Sequence, residues 1–122
     1  MSTGREANPD DLLPLSPQSF HILVALADRD QHGYAIMRDV VERTGGKLEM
    51  SAGTLYGCIK RLLDQGLISE LRIKERPAEA DDERRRYYRL TAFGREVAKA
   101  EAARLAELLA QARTHGLAPK RS

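Results

Sequence analysis

Hydrophobic residues recur along this chain with a helical period, which gives way once to alternation. Phe20, Leu23, Val24 and Ala27 stand at i, i+3, i+4 and i+7, the spacing of one helix face. Ser16-Pro17 sits just ahead of them, a side-chain N-cap followed by a proline whose missing N–H costs nothing in a first turn. The polar run Asp28-Arg29-Asp30-Gln31 ends this helix. A second begins at His32-Gly33-Tyr34, carries Tyr34, Met37, Val40 and Val41 with Ile36 beside them, and stops at Thr44-Gly45-Gly46. A third occupies Met50 to Gly66: Leu55, Ile59, Leu62 and Leu63 share a face, Ser51 stands at the N-cap and Gly66 at C′.

After Gly66 the period becomes two. Leu67, Ser69, Leu71 and Ile73 alternate with Ile68, Glu70, Arg72 and Lys74, which predicts a half-buried strand. Residues 76–84 read as a polar loop, and Arg85 to Leu90 as a partner strand with Tyr88 and Leu90 facing inward. Thr91 then caps a last helix that runs to about His115, before Gly116, Leu117 and Pro119. Such a helix is roughly 35 Å long, more than so small a domain can cover. Ala98, Ala102, Leu105, Leu109 and Ala112 form a short heptad-like seam along it, widened by Phe93, Val97 and Leu108.

The expected fold is therefore mainly α with a small β-hairpin. Three short helices in a row, two of them joined by a tight link, make a helix-turn-helix core; a hairpin directly after it makes a winged helix-turn-helix. The expected organisation is a loose N-terminal arm over 1–14, the winged domain over 15–90, a C-terminal dimerisation helix over 91–116 and a tail over 117–122.

Charge changes this picture only locally. The net charge is +2 over 122 residues, divided as −3 for 1–30, +1 for 31–66, +1 for 67–90 and +3 for 91–122. One run, Arg84-Arg85-Arg86, is concentrated, with Asp81, Asp82 and Glu83 beside it. The single cysteine, Cys58, excludes a disulfide framework and fits a reducing cytoplasm. It reads as a small buried thiol. His21, His32 and His115 have no metal-ligand spacing, and no nucleophile–base pair or phosphate-binding glycine loop is present, so neither an enzyme nor a cofactor is expected. No apolar run approaches a membrane span, and no signal peptide is expected at the N-terminus.

The third helix carries the candidate chemistry. Opposite its leucines lie Gly53, Gly57, Lys60 and Asp64, flanked by Thr54, Tyr56 and Arg61. The first two turns of that face have almost no side-chain bulk. Gly57 within a helix costs about 1 kcal/mol relative to alanine, which a helix that must approach another backbone closely can accept. Ser51 and Thr54 sit at its N-terminus, where free N–H groups and the positive dipole end favour phosphate. Each of these residues also has a plain structural reading: Ser51 as a cap, Thr54 as a solvated hydroxyl, Tyr56 as a half-buried aromatic, the glycines as helix slack, Lys60 and Arg61 as ordinary surface charge.

HGYAIMRDV, GTLYGCIKRLLDQGLI and RRRYYRLTAFGRE resemble segments of the PadR family of transcriptional regulators, and together they span about Leu15 to Glu96. The single C-terminal helix resembles the short subfamily. The resemblance implies a homodimeric winged-helix repressor on a palindromic operator. It implies double-stranded DNA contacts from Ser51, Gly53, Thr54, Tyr56, Gly57, Lys60 and Arg61, from His32 and Tyr34 at the start of the second helix, and from the wing arginines Arg84, Arg85 and Arg86. The dimer interface would be Phe93, Val97, Ala98, Ala102, Leu105, Leu108, Leu109 and Ala112. A small-molecule effector, unidentified, has a place between such helices, although alanines and leucines serve plain packing equally well. The chain departs from the family in carrying Gly57 where many members have proline. It also lacks tryptophan, which removes any basis for holding a flat drug between interface tryptophans. The alternative is a winged helix used for protein–protein contact without sequence-specific DNA binding.

Overall fold

Four helices and three short strands succeed one another in a computed structural model that describes residues 8–77 and 85–119. The helices are α1 (Pro17–Asp28), α2 (Gly33–Arg43), α3 (Ala52–Asp64) and α4 (Ala92–Thr114); the strands are β1 (Gln31–His32), β2 (Ile68–Glu70) and β3 (Tyr87–Leu90). The local signals act where expected. Ser16, Ser51 and Thr91 each accept a backbone N–H three residues on. Gly66, at φ 76°, closes α3 in a Schellman motif, its own N–H reaching Leu63 O at 3.0 Å and that of Leu67 reaching Leu62 O at 2.9 Å.

The core gathers Ile22, Leu23, Ala25 and Leu26 of α1, Ile36 and Val40 of α2, Leu55, Cys58, Ile59 and Leu62 of α3, and Leu67, Ile68, Tyr88, Leu90 and Val97. Cys58 is buried here, as its place beside the leucine stripe implied. The buried face of α1 is rotated from the expected one. Val24 and Ala27 are exposed and Phe20 is only partly covered, because the α2–α3 pair and α4 approach from the side carrying Ile22, Ala25 and Leu26.

The sheet also differs from the expected hairpin. β1 pairs antiparallel with β3, giving three strands in the order β1-β3-β2, with Gln31 opposite Tyr88 and Ile68 opposite Leu90. The long strand expected over 67–74 ends after Glu70. A 3-10 turn at Ile73–Glu75 replaces its second half, closed by the Glu75 carboxylate, which accepts the Arg72 N–H at 2.8 Å and leaves Ile73 exposed.

Two further expectations are corrected. The arm is folded from residue 9: Pro9–Leu12 forms a 3-10 turn against α4, and Leu12, Leu13 and Leu15 pack on the core. Val97 is fully buried within its own domain, so it cannot also face a second subunit; Phe93 and Ala98 lean on the same core.

The corner where α3 ends locks onto the start of α4. The Thr91 hydroxyl accepts the Gly94 N–H at 2.9 Å and donates to Gly66 O at 2.7 Å, while the Thr91 N–H donates to Leu67 O at 3.1 Å. Gly94 is required there, since a Cβ would collide with the Leu67 carbonyl oxygen. This contact fixes α3 relative to the long helix.

Candidate nucleic-acid interface

The exposed side of α3 is as bare as its sequence implied. A Cβ on Gly57 would meet only Arg61 Nη1, at 3.9 Å, and one on Gly53 only Ser51 Oγ, at 4.0 Å. Neither glycine is demanded by packing inside the protein. The Ser51 hydroxyl accepts the Thr54 N–H at 3.1 Å and donates to Thr54 Oγ1 at 3.1 Å, so the exposed Thr54 hydroxyl keeps its own proton to donate. Lys60 is exposed and 3.5 Å from Asp64, an i,i+4 pair of little energetic weight. Arg61 turns back along the helix, its guanidinium donating to Cys58 Sγ at 3.2 Å.

The start of α2 and the base of the wing meet α3 at a cleft of about 310 Å³ lined by His32, Gly33, Tyr34, Tyr56, Arg85, Arg86 and Tyr88. Its walls come from three elements far apart in sequence. Tyr34 is 53% exposed, and Tyr56, at 49%, is half-buried. The phenol end of Tyr56 packs against Gly33, whose missing side chain makes the room: a Cβ there would come within 2.9 Å of ring atoms of Tyr56. His32 caps α2, with Nδ1 accepting the Ala35 N–H at 3.1 Å. Its Nε2 lies 3.0 Å from Arg85 Nη1, which brings the imidazole and the guanidinium side by side in the cleft.

Arg86 approaches Glu70 only at 3.9 Å and is otherwise exposed. Arg84 lies outside the described residues. Arg89, by contrast, is spent on structure: its fork grips Asp30 at 2.8 and 3.1 Å, tying β3 to the α1–β1 link, and the carboxylate raises the guanidinium's affinity for its proton. Burial holds the Tyr88 phenol above its ordinary range, so it stays protonated in the cleft wall.

Sequence reasoning missed Gly33 and Tyr88 of the cleft, and Arg38 beside it. Arg38 lies over the Tyr34 ring, 5.2 Å from its centroid, as an i,i+4 cation–π pair on the exposed side of α2. The signal was present in the spacing of a tyrosine and an arginine four apart. Among the expected interface residues of α4, Ala102, Leu105, Leu108 and Leu109 are exposed and Ala112 is partly so; Leu105, Leu108 and Leu109 stand at 39%, 53% and 41%. Among the described residues, no group of His, Cys, Asp or Glu could hold a metal ion, and no helix is long and apolar enough to cross a membrane.

Three packed helices, with α3 following α2 through a short link and a β2–β3 hairpin rising beside α3, define a winged helix-turn-helix. The family model for PadR-like transcriptional regulators matches residues 22–100, and the chain belongs to that family, whose members are regulators and not enzymes. A transcriptional regulator from Clostridium thermocellum has a similar structure, with a TM-score of 0.66 and 26% identity over 80% of this chain and 87% of that one. A PadR family regulator from Clostridium difficile shares the fold, with a TM-score of 0.69 at 23% identity over 82% of this chain and 98% of that one. An uncharacterised protein of Lysinibacillus sphaericus is 28% identical over 74 residues, and the match spans 61% of this chain and 64% of that relative's length.

Proposed function

We propose that this chain is a homodimeric, sequence-specific DNA-binding regulator, a repressor acting on a palindromic operator in the cytoplasm. The observation that carries the reading is the shared face of α3, the α2 start and the wing base. There, side chains at the edge of a bare helix surface converge on one cleft. In this reading the first two turns of α3 enter the major groove with Gly53 and Gly57 against the sugar-phosphate wall. Thr54 reads a base edge, and Tyr56, Tyr34, Lys60 and Arg61 meet the backbone. His32 and Arg85, side by side in the cleft, meet the phosphate backbone. Arg85 and Arg86, with Arg84, follow the backbone or the adjacent minor groove.

The second subunit would cover the leucines at 105, 108 and 109, which the protomer leaves in water. Two recognition helices then face successive major grooves about 34 Å apart. A small-molecule effector would enter between these helices.

The test is titration of a labelled fragment from the chain's own upstream region at low salt, against a scrambled fragment of equal length. Sequence-selective retention that falls steeply with salt is expected; equal retention of both fragments contradicts the proposal and favours the protein–protein alternative. Lys60→Ala should weaken binding on every sequence, whereas Thr54→Ala should change site preference. Leu105→Glu with Leu109→Glu should yield monomers in sedimentation.

A further inference from the structure

Glu101 is a carboxylate buried to 2% exposure on α4, and nothing in the DNA-facing site uses it. One side of α4 faces its own domain through positions 94, 97, 101 and 104. Gly94, Val97 and Glu101 are buried there, Arg104 is half-covered, and Leu108, the next residue on the same stripe, is exposed. The helix therefore leaves the domain at Glu101–Arg104. At that exit Arg104 grips the carboxylate with two bonds of 2.8 and 2.9 Å, and the Leu15 N–H donates to Oε1 at a longer 3.4 Å. Leu15 directly precedes the N-cap of α1. The carboxylate thus couples the folded N-terminal segment and the start of α1 to the point where α4 departs.

Beyond that point residues 102–114 form a lever about 20 Å long. A tilt of about 10° at its base moves the far end by roughly 3 Å, close to one base-pair rise. Any surface on the lever that holds a second subunit inherits this angle, and so does the separation of the two α3 helices.

We propose that Glu101, held by Arg104 and the Leu15 amide, is the positioning residue that sets half-site spacing specificity. This rests on the dimeric DNA-binding reading above. Glu101 touches no DNA; it acts through the direction of α4.

The experiment uses the full-length protein and a selected palindromic duplex, together with duplexes whose half-sites are moved by one and two base pairs. Binding is measured for the wild type, Glu101→Gln and Arg104→Gln, with sedimentation to verify the dimer. Glu101→Gln is nearly isosteric and keeps an acceptor for Leu15; Arg104→Gln alters a half-exposed side chain and provides a second route should the first variant not fold. The wild type should lose about tenfold or more in affinity per displaced base pair, and the variants about threefold or less, with both still dimeric. A wild-type spacing profile in either folded variant overturns the inference, as does loss of the dimer, which would make the contact an assembly element instead. A wild-type protein that selects no DNA sequence defeats the functional reading itself, and is distinguished by its own titration.

Discussion

Gly33 and Tyr56 form a single contact across two helices. The aromatic ring of α3 rests where a side chain at the first position of α2 would be. Gly33→Ala should leave the fold intact, because alanine suits a helix and the half-exposed ring can swing outward. It should displace Tyr56 from the cleft and weaken DNA binding by about tenfold, on the order of one lost backbone contact. Tyr56→Ala alone should weaken binding as much, and the double variant no further. Additive losses, measured by anisotropy titration, would show that Gly33 acts by another route.

Gly57 predicts opposite signs for stability and binding. Its added Cβ meets nothing closer than 3.9 Å, so Gly57→Ala should raise stability in denaturant by about 0.5–1 kcal/mol. The same methyl group on the groove-facing side should lower DNA affinity. A variant that is more stable and binds equally well would remove the close-approach role of this glycine.

Gly94 makes the contrasting case. Its Cβ would collide with the backbone oxygen of Leu67, which cannot turn aside as a side chain can. Gly94→Ala should cost about 2–3 kcal/mol in urea unfolding. A loss below about 1 kcal/mol would mean that the α3–α4 corner relaxes easily.

The grip of Arg104, ahead of the opposing effect of burial and with help from the Leu15 amide, holds the Glu101 carboxyl below its ordinary range. The unfolded chain then binds this proton more readily than the folded one. The resulting stability is present above the ordinary carboxylate value of about 4.3 and is lost as pH falls through the lowered one. Glu101→Gln should therefore flatten the acid limb of stability below about pH 5 and leave the neutral-to-basic limb unchanged in shape. An unaltered acid limb in urea titrations at stepped pH would place that sensitivity elsewhere.

What could be read from the sequence follows the range of each signal. Ser16, Ser51, Thr91 and Gly66 act on atoms within a few residues, and their roles were legible. β1 was not, because Gln31–His32 is too short to alternate and exists only through pairing with β3. Nor does period alone say what covers a face: Val97 fits the α4 seam by spacing, yet its own domain buries it. Glu101 reads as surface charge in a helical run until Arg104 and Leu15 close around it. The bare face of α3 was evident from composition, but the space that Gly33 leaves for Tyr56 is a tertiary fact.

The central claim is that α3, the start of α2 and the wing base together read two symmetric half-sites. Selection from a random duplex pool, followed by hydroxyl-radical footprinting of the enriched sequence, tests it most directly. The expected outcome is a palindrome with half-site centres about 10 base pairs apart, two protected patches on one face of the duplex, and loss of both with Tyr56→Ala or Arg85→Ala. Enrichment of no motif, or a footprint indifferent to both substitutions, would contradict it.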